Sequence, residues 1–230
     1  MSISRTVRIG DREVTRIGLG TNRLTNTPQN VDFLRAAVDA GVQLIDTAHV
    51  YSSGESEAAI GAAGLDGRAL VASKGGMGAG NGSPERLAAE IEESLRRLRT
   101  DRIDLYYLHR VDPETPLAES VGALKEHQER GQIGQIGLSN VTVEHIEEAR
   151  RVVDVAAVQN AFNFAERRHE LVLEYCEREE IAFVPYIPLR TELAPREALV
   201  WLLQRSPVVL PIPGSLNLEH VKANLAALDA

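Results

Sequence analysis

Ile103-Asp104-Leu105-Tyr106-Tyr107-Leu108-His109 reads as an apolar β-strand that ends on an imidazole. Two earlier runs have the same form. Leu44-Ile45-Asp46-Thr47-Ala48 carries a carboxylate near its end, with Tyr51 just beyond, and Leu70-Val71-Ala72-Ser73-Lys74 ends on an ammonium. Outward from these three, the periodicity keeps alternating. Strand patterns fall at 16–20, 43–48, 69–74, 103–109, 133–138, 155–159, 181–186 and 208–212. Helical patterns follow them at about 29–40, 55–63, 84–98, 117–129, 143–152, 168–179, 195–203 and 218–228. Strands that alternate with helices predict a parallel sheet, and such repeated units without a linker predict an α/β fold, a (β/α)8 barrel. Before the barrel, Thr6-Val7-Arg8-Ile9 and Glu13-Val14-Thr15 flank a turn at Gly10-Asp11-Arg12, which predicts an N-terminal β-hairpin.

Composition narrows the classes. The chain has 230 residues, within reach of a single domain over 1–230. It carries a net charge of −8, which argues against a nucleic-acid partner. Its one cysteine, Cys176, lies inside a helical pattern, so neither an internal disulfide nor a thiol metal cluster is expected. No apolar run approaches the ~20 residues of a membrane span, and Met1-Ser2-Ile3-Ser4-Arg5 has no signal-peptide core. A cytoplasmic protein with no membrane partner and no bound metal is expected, as a monomer or weak homo-oligomer.

Several boundaries carry chemical markers. Ser83-Pro84-Glu85 sets a capping serine before a proline at the first helical position, and Thr142 and Asn217 are similar caps. Gly41, Gly64 and Gly131 follow helices as terminating glycines would. Two glycine motifs give no nucleotide loop. Gly18-Leu19-Gly20-Thr21 lacks the third glycine of a dinucleotide fingerprint, and Lys74-Gly75-Gly76-Met77-Gly78-Ala79-Gly80 lacks the Lys-Ser/Thr end of a phosphate loop. The second reads as a mobile loop over the barrel mouth.

In a parallel barrel the strand carboxyl ends form one rim, and that rim carries the chemistry. Read in order, it holds Gly20-Thr21, Asp46, Lys74, His109, Ser139-Asn140, Gln159-Asn160, Tyr186 and Gly214-Ser215. Each has a plainer role available: Ser139-Asn140 as a helix cap, Asp46 as a loop cap, His109 as a core histidine. Polar or glycine residues at every rim position argue for a site.

These residues carry a resemblance. The chain resembles an aldo-keto reductase along nearly its whole length, as a short bacterial-type member. The match rests on Ile45-Asp46-Thr47-Ala48 with Tyr51, Ala72-Ser73-Lys74-Gly75 and Arg102 through His109. It continues in Ile136-Gly137-Leu138-Ser139-Asn140, Val158-Gln159-Asn160, and Pro211-Ile212-Pro213-Gly214-Ser215 with Asn224. The resemblance implies reduction of a small aldehyde or ketone to an alcohol by hydride transfer from NADPH, with NADH as the alternative donor. It implies a catalytic set of Asp46, Tyr51, Lys74 and His109, with Tyr51 as proton donor. Ser139, Asn140 and Gln159 would hold the nicotinamide carboxamide, and Tyr186 would stack on its ring. Gly214 and Ser215 would meet a phosphate, and Asn217, His220 and Asn224 the adenosine half. Gly20, Thr21, Asp46, Ile187, Leu189 and Ile212 complete the expected cofactor wall.

The residue types make sense by themselves. Charge that develops on a carbonyl oxygen must be met by a proton donor. A nearby ammonium favours phenolate, so Lys74 is expected to lower the Tyr51 pKa, with Asp46 holding Lys74. His49, Met77, Arg110 and Phe162 are candidates for the pocket wall. Arg110 either attracts an anionic substrate or pairs with Asp112. Two other functions stay open: a cofactor-binding sensor or partner subunit with little turnover, and a Schiff-base lyase using Lys74.

The pattern departs from the family in two places. Relatives often carry a lysine at the position of Gly214 and an arginine at that of His220, cations that hold the 2′-phosphate of NADPH. An imidazole carries a full charge only when protonated, so a weakened NADPH preference is expected. The connection from Leu189 to Pro195 is short, and with the chain ending at Ala230 a trimmed barrel without a C-terminal loop is expected, its site open to water.

Overall fold

The computed structural model describes residues 3–65 and 67–230; the expectation for Met1 and Ser2 lies outside them. The hairpin pairs β1 (Thr6–Ile9) with β2 (Arg12–Thr15) in antiparallel register. Its turn is Gly10-Asp11, with Gly10 at φ +58, a conformation glycine takes without penalty. Then β3 (Leu19–Gly20), β4 (Leu44–Asp46), β5 (Leu70–Gly75), β6 (Ile103–Leu108), β7 (Ile133–Ser139), β8 (Val155–Gln159) and β9 (Ala182–Phe183) pair in sequence order, all parallel. Helices α1 (Pro28–Asp39), α2 (Glu55–Ala63), α3 (Pro84–Leu98), α4 (Leu117–Glu129), α5 (Val143–Ala149), α6 (Glu170–Arg178), α7 (Pro195–Arg205) and α8 (Leu218–Leu225) lie between and after them.

The expected strand at 208–212 closes the barrel without forming a ladder. Pro211 and Pro213 have no N–H to give, so half of its bonding capacity toward β3 is absent. They accept instead, from Gly18 N–H at 3.0 Å and Gly20 N–H at 3.2 Å. On the other side Leu210 N–H reaches the Phe183 carbonyl at 2.8 Å and Ile212 N–H reaches that of Pro185 at 3.3 Å. Gly20 is required here, because a Cβ would sit 2.9 Å from the Ile212 carbonyl oxygen. The buried guanidinium of Arg16 ties the same seam, bonding the carbonyls of Val209 at 3.0 Å and Leu203 at 2.9 Å. Burial lowers the Arg16 pKa to about 10. With these bonds the sheet is a (β/α)8 barrel.

Side-chain alternation sorts the core into two shells. Leu44, Leu70, Ala72, Leu105, Tyr107, Ala157, Ala182 and Leu210 fill the interior, and the hairpin's Val7, Ile9 and Val14 plug it at the strands' amino end. Ile45, Tyr106, Leu108, Leu138, Val158 and Phe183 face outward against Leu34, Leu87, Ile91, Val121 and Leu124 of the helices. Trp201 belongs to this outer shell, stacked 5.9 Å from Phe162. Cys176 is buried, its thiol pushed up to about 12 by desolvation, which leaves it an inert packing residue.

Local capping follows the sequence. The hydroxyls of Ser83 and Thr142 accept from the third helical N–H, at Arg86 and His145, and Asn217 accepts from Glu219 N–H. Among the described residues no helix is long and apolar enough to cross a membrane.

Candidate active site

The alternation that fills the barrel also aims its rim. Asp46 lies two residues beyond inward Leu44, Lys74 two beyond Ala72, His109 two beyond Tyr107, and Gln159 two beyond Ala157. Period two turns all four toward the axis. There Asp46 accepts from Lys74 Nζ at 2.7 Å on one oxygen and from Gln159 Nε2 at 2.7 Å on the other. Lys74 gives a further bond to the Thr47 carbonyl at 2.6 Å and is fully buried. A buried ion pair is tolerable only when its remaining hydrogen-bonding capacity is met, and here both carboxylate oxygens are engaged.

Tyr51 arrives from the loop after β4. It opens a short 3₁₀ turn, Tyr51–Gly54, in which Ser52 and Ser53 hold positive φ values of 48° and 54°. That region is uncommon for residues other than glycine, and the loop is held from several sides. His49 N–H reaches the Lys74 carbonyl at 2.9 Å, His49 Nε2 meets Glu93 at 2.9 Å, and Arg97 gives to the His49 carbonyl at 3.0 Å. Below it Thr21, Thr47 and Ser56 share hydroxyl bonds of 2.7–2.8 Å. The result places the Tyr51 ring 4.9 Å from Lys74 Nζ and 6.0 Å from the His109 ring, edge to face.

The electrostatics differ in one respect from the expectation. Burial raises the Tyr51 pKa above the usual phenol value. Lys74 pulls it down, as expected, but by less than burial lifts it, and Asp46 adds to the rise. The phenol is therefore protonated near neutrality. His109 is pushed down to about 3 by burial first, then by Lys74 and Arg110. It is a neutral imidazole, and its buried Nδ1 has no partner among the described residues.

Asp46, Tyr51 and His109 open onto a cavity of about 930 Å³, with Lys74 directly behind them. Every expected cofactor residue lines the same space except Asn224, which is buried in α8. A chain of bonds joins the two walls. Tyr186 gives its hydroxyl proton to Asn140 Oδ1 at 2.7 Å, and Asn140 Nδ2 reaches the His109 carbonyl at 3.1 Å. Ser139 bonds the Gln159 carbonyl at 2.9 Å. Asn140 sits at φ +59, which a short amide side chain accepts more readily than most.

Other expectations for the wall are corrected. Phe162 is wholly buried against Phe183 and Trp201. His49 is turned away onto Glu93, and Met77 is outside the cavity. Asn160 points behind the rim, pairing with both backbone groups of Val141 at 3.0 and 2.8 Å. The glycine-rich segment after Lys74 is strapped rather than lying over the mouth. Asp112 accepts from Gly80 N–H at 2.9 Å and Gly82 N–H at 2.8 Å, and Glu90 accepts from Gly76 N–H at 2.7 Å. Of the four wall candidates Arg110 alone lines the cavity. Sequence reasoning missed Asn22, Arg23 and Arg190, which also line it. Their signal was available: arginines beside a rim glycine and in the short connection after the seventh strand.

Comparison with known proteins gives one family. The family model for the Aldo/keto reductase family matches residues 16–198. An uncharacterized oxidoreductase of Schizosaccharomyces pombe is 35% identical, covering 96% of this chain and 84% of its own. That alignment runs over 257 positions, more than this chain's 230 residues, so the relative carries insertions that are missing here. Pyridoxine 4-dehydrogenase of Escherichia coli is 30% identical over 97% of this chain and 93% of its own. Among solved structures, an aldo-keto reductase of Klebsiella pneumoniae in complex with NADPH superposes with a TM-score of 0.89. It is 31% identical, with 99% of this chain and 90% of that chain covered.

Proposed function

Because the chain belongs to the aldo/keto reductase family and is an oxidoreductase, we propose that it reduces an aldehyde or ketone to an alcohol with NADPH, Tyr51 giving the proton. The observation that carries this reading is the buried Asp46–Lys74 pair set against the Tyr51 ring, with a neutral His109 on the same cavity.

The cavity suits a dinucleotide. It runs from Ser139, Asn140 and Gln159 past Tyr186 to Gly214–Asn217 at the start of α8, where the amino end of a helix favours a phosphate. Arg23 and Arg190 add cations with no ion-pair partner among the described residues, compatible with the charge of a pyrophosphate. The Klebsiella relative was solved with NADPH. When bound, NADPH supplies a hydride.

The residues of this chain then do the rest. His109, neutral, can offer one N–H to the carbonyl oxygen and fix its position. Tyr51 holds its proton near neutrality and delivers it as negative charge builds on that oxygen. The resulting phenolate is stabilised by Lys74, whose ammonium is held in place by Asp46 and the Thr47 carbonyl, while Gln159 Nε2 donates to the other oxygen of Asp46. Lys74 is fully buried and gives two of its three donors to Asp46 and the Thr47 carbonyl, which weighs against its use as a Schiff-base nucleophile.

The test is turnover of 4-nitrobenzaldehyde with NADPH by wild type and Tyr51→Phe. General acid catalysis is worth ~10²–10⁴-fold, so the variant should lose activity by that factor. Its NADPH dissociation constant should stay near that of wild type. A variant that keeps more than half of the wild-type rate overturns the assignment of Tyr51.

A further inference from the structure

We infer that the substrate carries an anionic group, a carboxylate or phosphate, and that Arg110 is the residue that recognises it. This deepens the reductase reading and rests on it.

The argument starts from the order of strands around the barrel. Counting β3 as first, β6 is fourth and the 208–214 segment is eighth, so they face each other across the mouth. His220 and Ser215 follow the eighth position, Arg190 follows the seventh and Arg23 follows the first. These residues form one arc, and its two arginines lie on the side of the helix start that suits the dinucleotide phosphates. Arg110 follows β6, alone on the opposite side, immediately after His109 and close enough to depress its protonation.

Arg110 is also left free. The acid nearest in sequence, Asp112, is consumed by the N–H groups of Gly80, Gly82 and Glu114 and by the Thr115 hydroxyl. The one acid lining the cavity, Asp46, has both oxygens engaged by Lys74 and Gln159. Arg110 therefore has no ion-pair partner among the described residues, and its side chain is exposed at the mouth. The chain as a whole carries −8, so a cavity lined by three arginines and one neutralised acid is a local reversal of sign. A guanidinium presents a planar fork that matches carboxylate and phosphate oxygens. His109, being neutral, cannot take this role. An anion bound at Arg110 thus has its carbonyl end directed at the His109 and Tyr51 side of the cavity.

The test uses matched pairs: 4-carboxybenzaldehyde against its neutral isostere 4-nitrobenzaldehyde, and glyceraldehyde 3-phosphate against glyceraldehyde. Wild type, Arg110→Met and Arg110→Lys are compared, with thermal melting to check folding. A shielded charge-assisted contact is worth roughly one to two decades in affinity and an exposed one less. Arg110→Met should therefore raise KM for the preferred anionic member about tenfold at unchanged kcat, and leave the neutral member alone. Arg110→Lys should recover part of the loss. Which pair responds tells carboxylate from phosphate. Equal effects on anionic and neutral members, or a weakened NADPH dissociation constant in Arg110→Met, overturn the role of Arg110 while leaving the reductase reading intact. A wild type that reduces none of the four aldehydes overturns both.

Discussion

The two sides of the barrel mouth are held by different means. On the side of β4, β5 and β6, parallel ladders run in unbroken register, Leu44 to Leu70 through Gly75 to Leu108, and a buried charge pair locks the rim. Where the 208–214 segment meets β9 and β3 there is no ladder among the described residues. Single bridges, two prolines that only accept, and the guanidinium of Arg16 hold the seam. Geometric precision is concentrated on the first of these sides. The side with Tyr51, Lys74 and His109 is fixed by groups whose removal leaves buried charge. On the proposed reading, the other side offers the amino end of α8 and arginines without an ion-pair partner among the described residues to an extended anion, a task that needs donors more than rigidity.

The contrast breaks first at Lys74. Removing one partner of a buried pair strands the other charge and typically costs about 3–5 kcal/mol. Lys74→Met should therefore lower the denaturation midpoint sharply as well as abolish activity. It should also raise the Tyr51 pKa further, since Lys74 is the main group that lowers it. The double variant Asp46→Leu/Lys74→Met sharpens the point. With no charge left stranded it should regain much of the stability and none of the turnover. A Lys74→Met protein as stable as wild type would show that the pair does not lock this rim.

The opposite side breaks more gently. Arg16→Leu leaves the buried carbonyls of Val209 and Leu203 without their partner, and unsatisfied groups of this kind cost about 1–3 kcal/mol each. We expect a loss of about 2 kcal/mol in chemical denaturation, because water can reach part of the opened seam. The kcat for a neutral aldehyde should hold. A fall in kcat as large as the Tyr51→Phe effect would mean that the two sides are mechanically coupled.

The same division governs what could be read from the sequence. The rim residues of β4 to β6 were legible because a two-residue period converts sequence position directly into direction, so Asp46, Lys74 and His109 could be aimed without a structure. The strand at 208–212 was legible as an apolar run, but its prolines turn a ladder into bridges, an effect of lost donors that a hydrophobic pattern does not carry. Direction fails where the chain leaves the sheet. Phe162 and Asn160 sit just past β8 and Met77 just past β5, yet they turn behind or away from the mouth. Arg23 and Arg190 lie in loops with no period at all, so only their charge could have marked them. The pKa of Tyr51 went the other way from the expectation because a pairwise attraction was visible in the sequence while the burial opposing it was not.

A smaller effect tests the cofactor side. Gly214 lies at an ordinary φ, and a Cβ there would meet Gly20 O at 3.5 Å and Asn22 Oδ1 at 3.7 Å, normal contact distances. Gly214→Lys is therefore accommodated, and with His220→Arg it restores two cations beside α8. One charge-assisted contact at an exposed site is worth about a decade in affinity at most. The double variant should bind NADPH about tenfold more tightly and NADH unchanged, as read by calorimetric titration of each nucleotide. Equal tightening of both would mean that the new cations meet the pyrophosphate instead of the 2′-phosphate.

The smallest expected change is in the pH profile of the side with Tyr51 and His109. His109 has a pKa of about 3, and Tyr51 lies above the usual phenol value. Both are therefore in their working state, neutral imidazole and protonated phenol, throughout the range between. With saturating NADPH, kcat/KM for a neutral aldehyde should vary by less than about twofold from about pH 5 to pH 9, because neither group titrates there. Stability should behave differently. The folded value of His109 is depressed below its ordinary 6.5, so at pH values under 6.5 the unfolded chain takes up a proton that the folded chain refuses. That contribution is fully present above pH 6.5 and is lost as pH falls toward about 3. His109→Gln, which keeps a neutral donor, should flatten this part of the stability curve while shifting the activity profile little in shape. An activity limb centred near pH 6–7 that disappears in His109→Gln would place the His109 pKa in the ordinary range, and the neutral imidazole would then not be what orients the carbonyl.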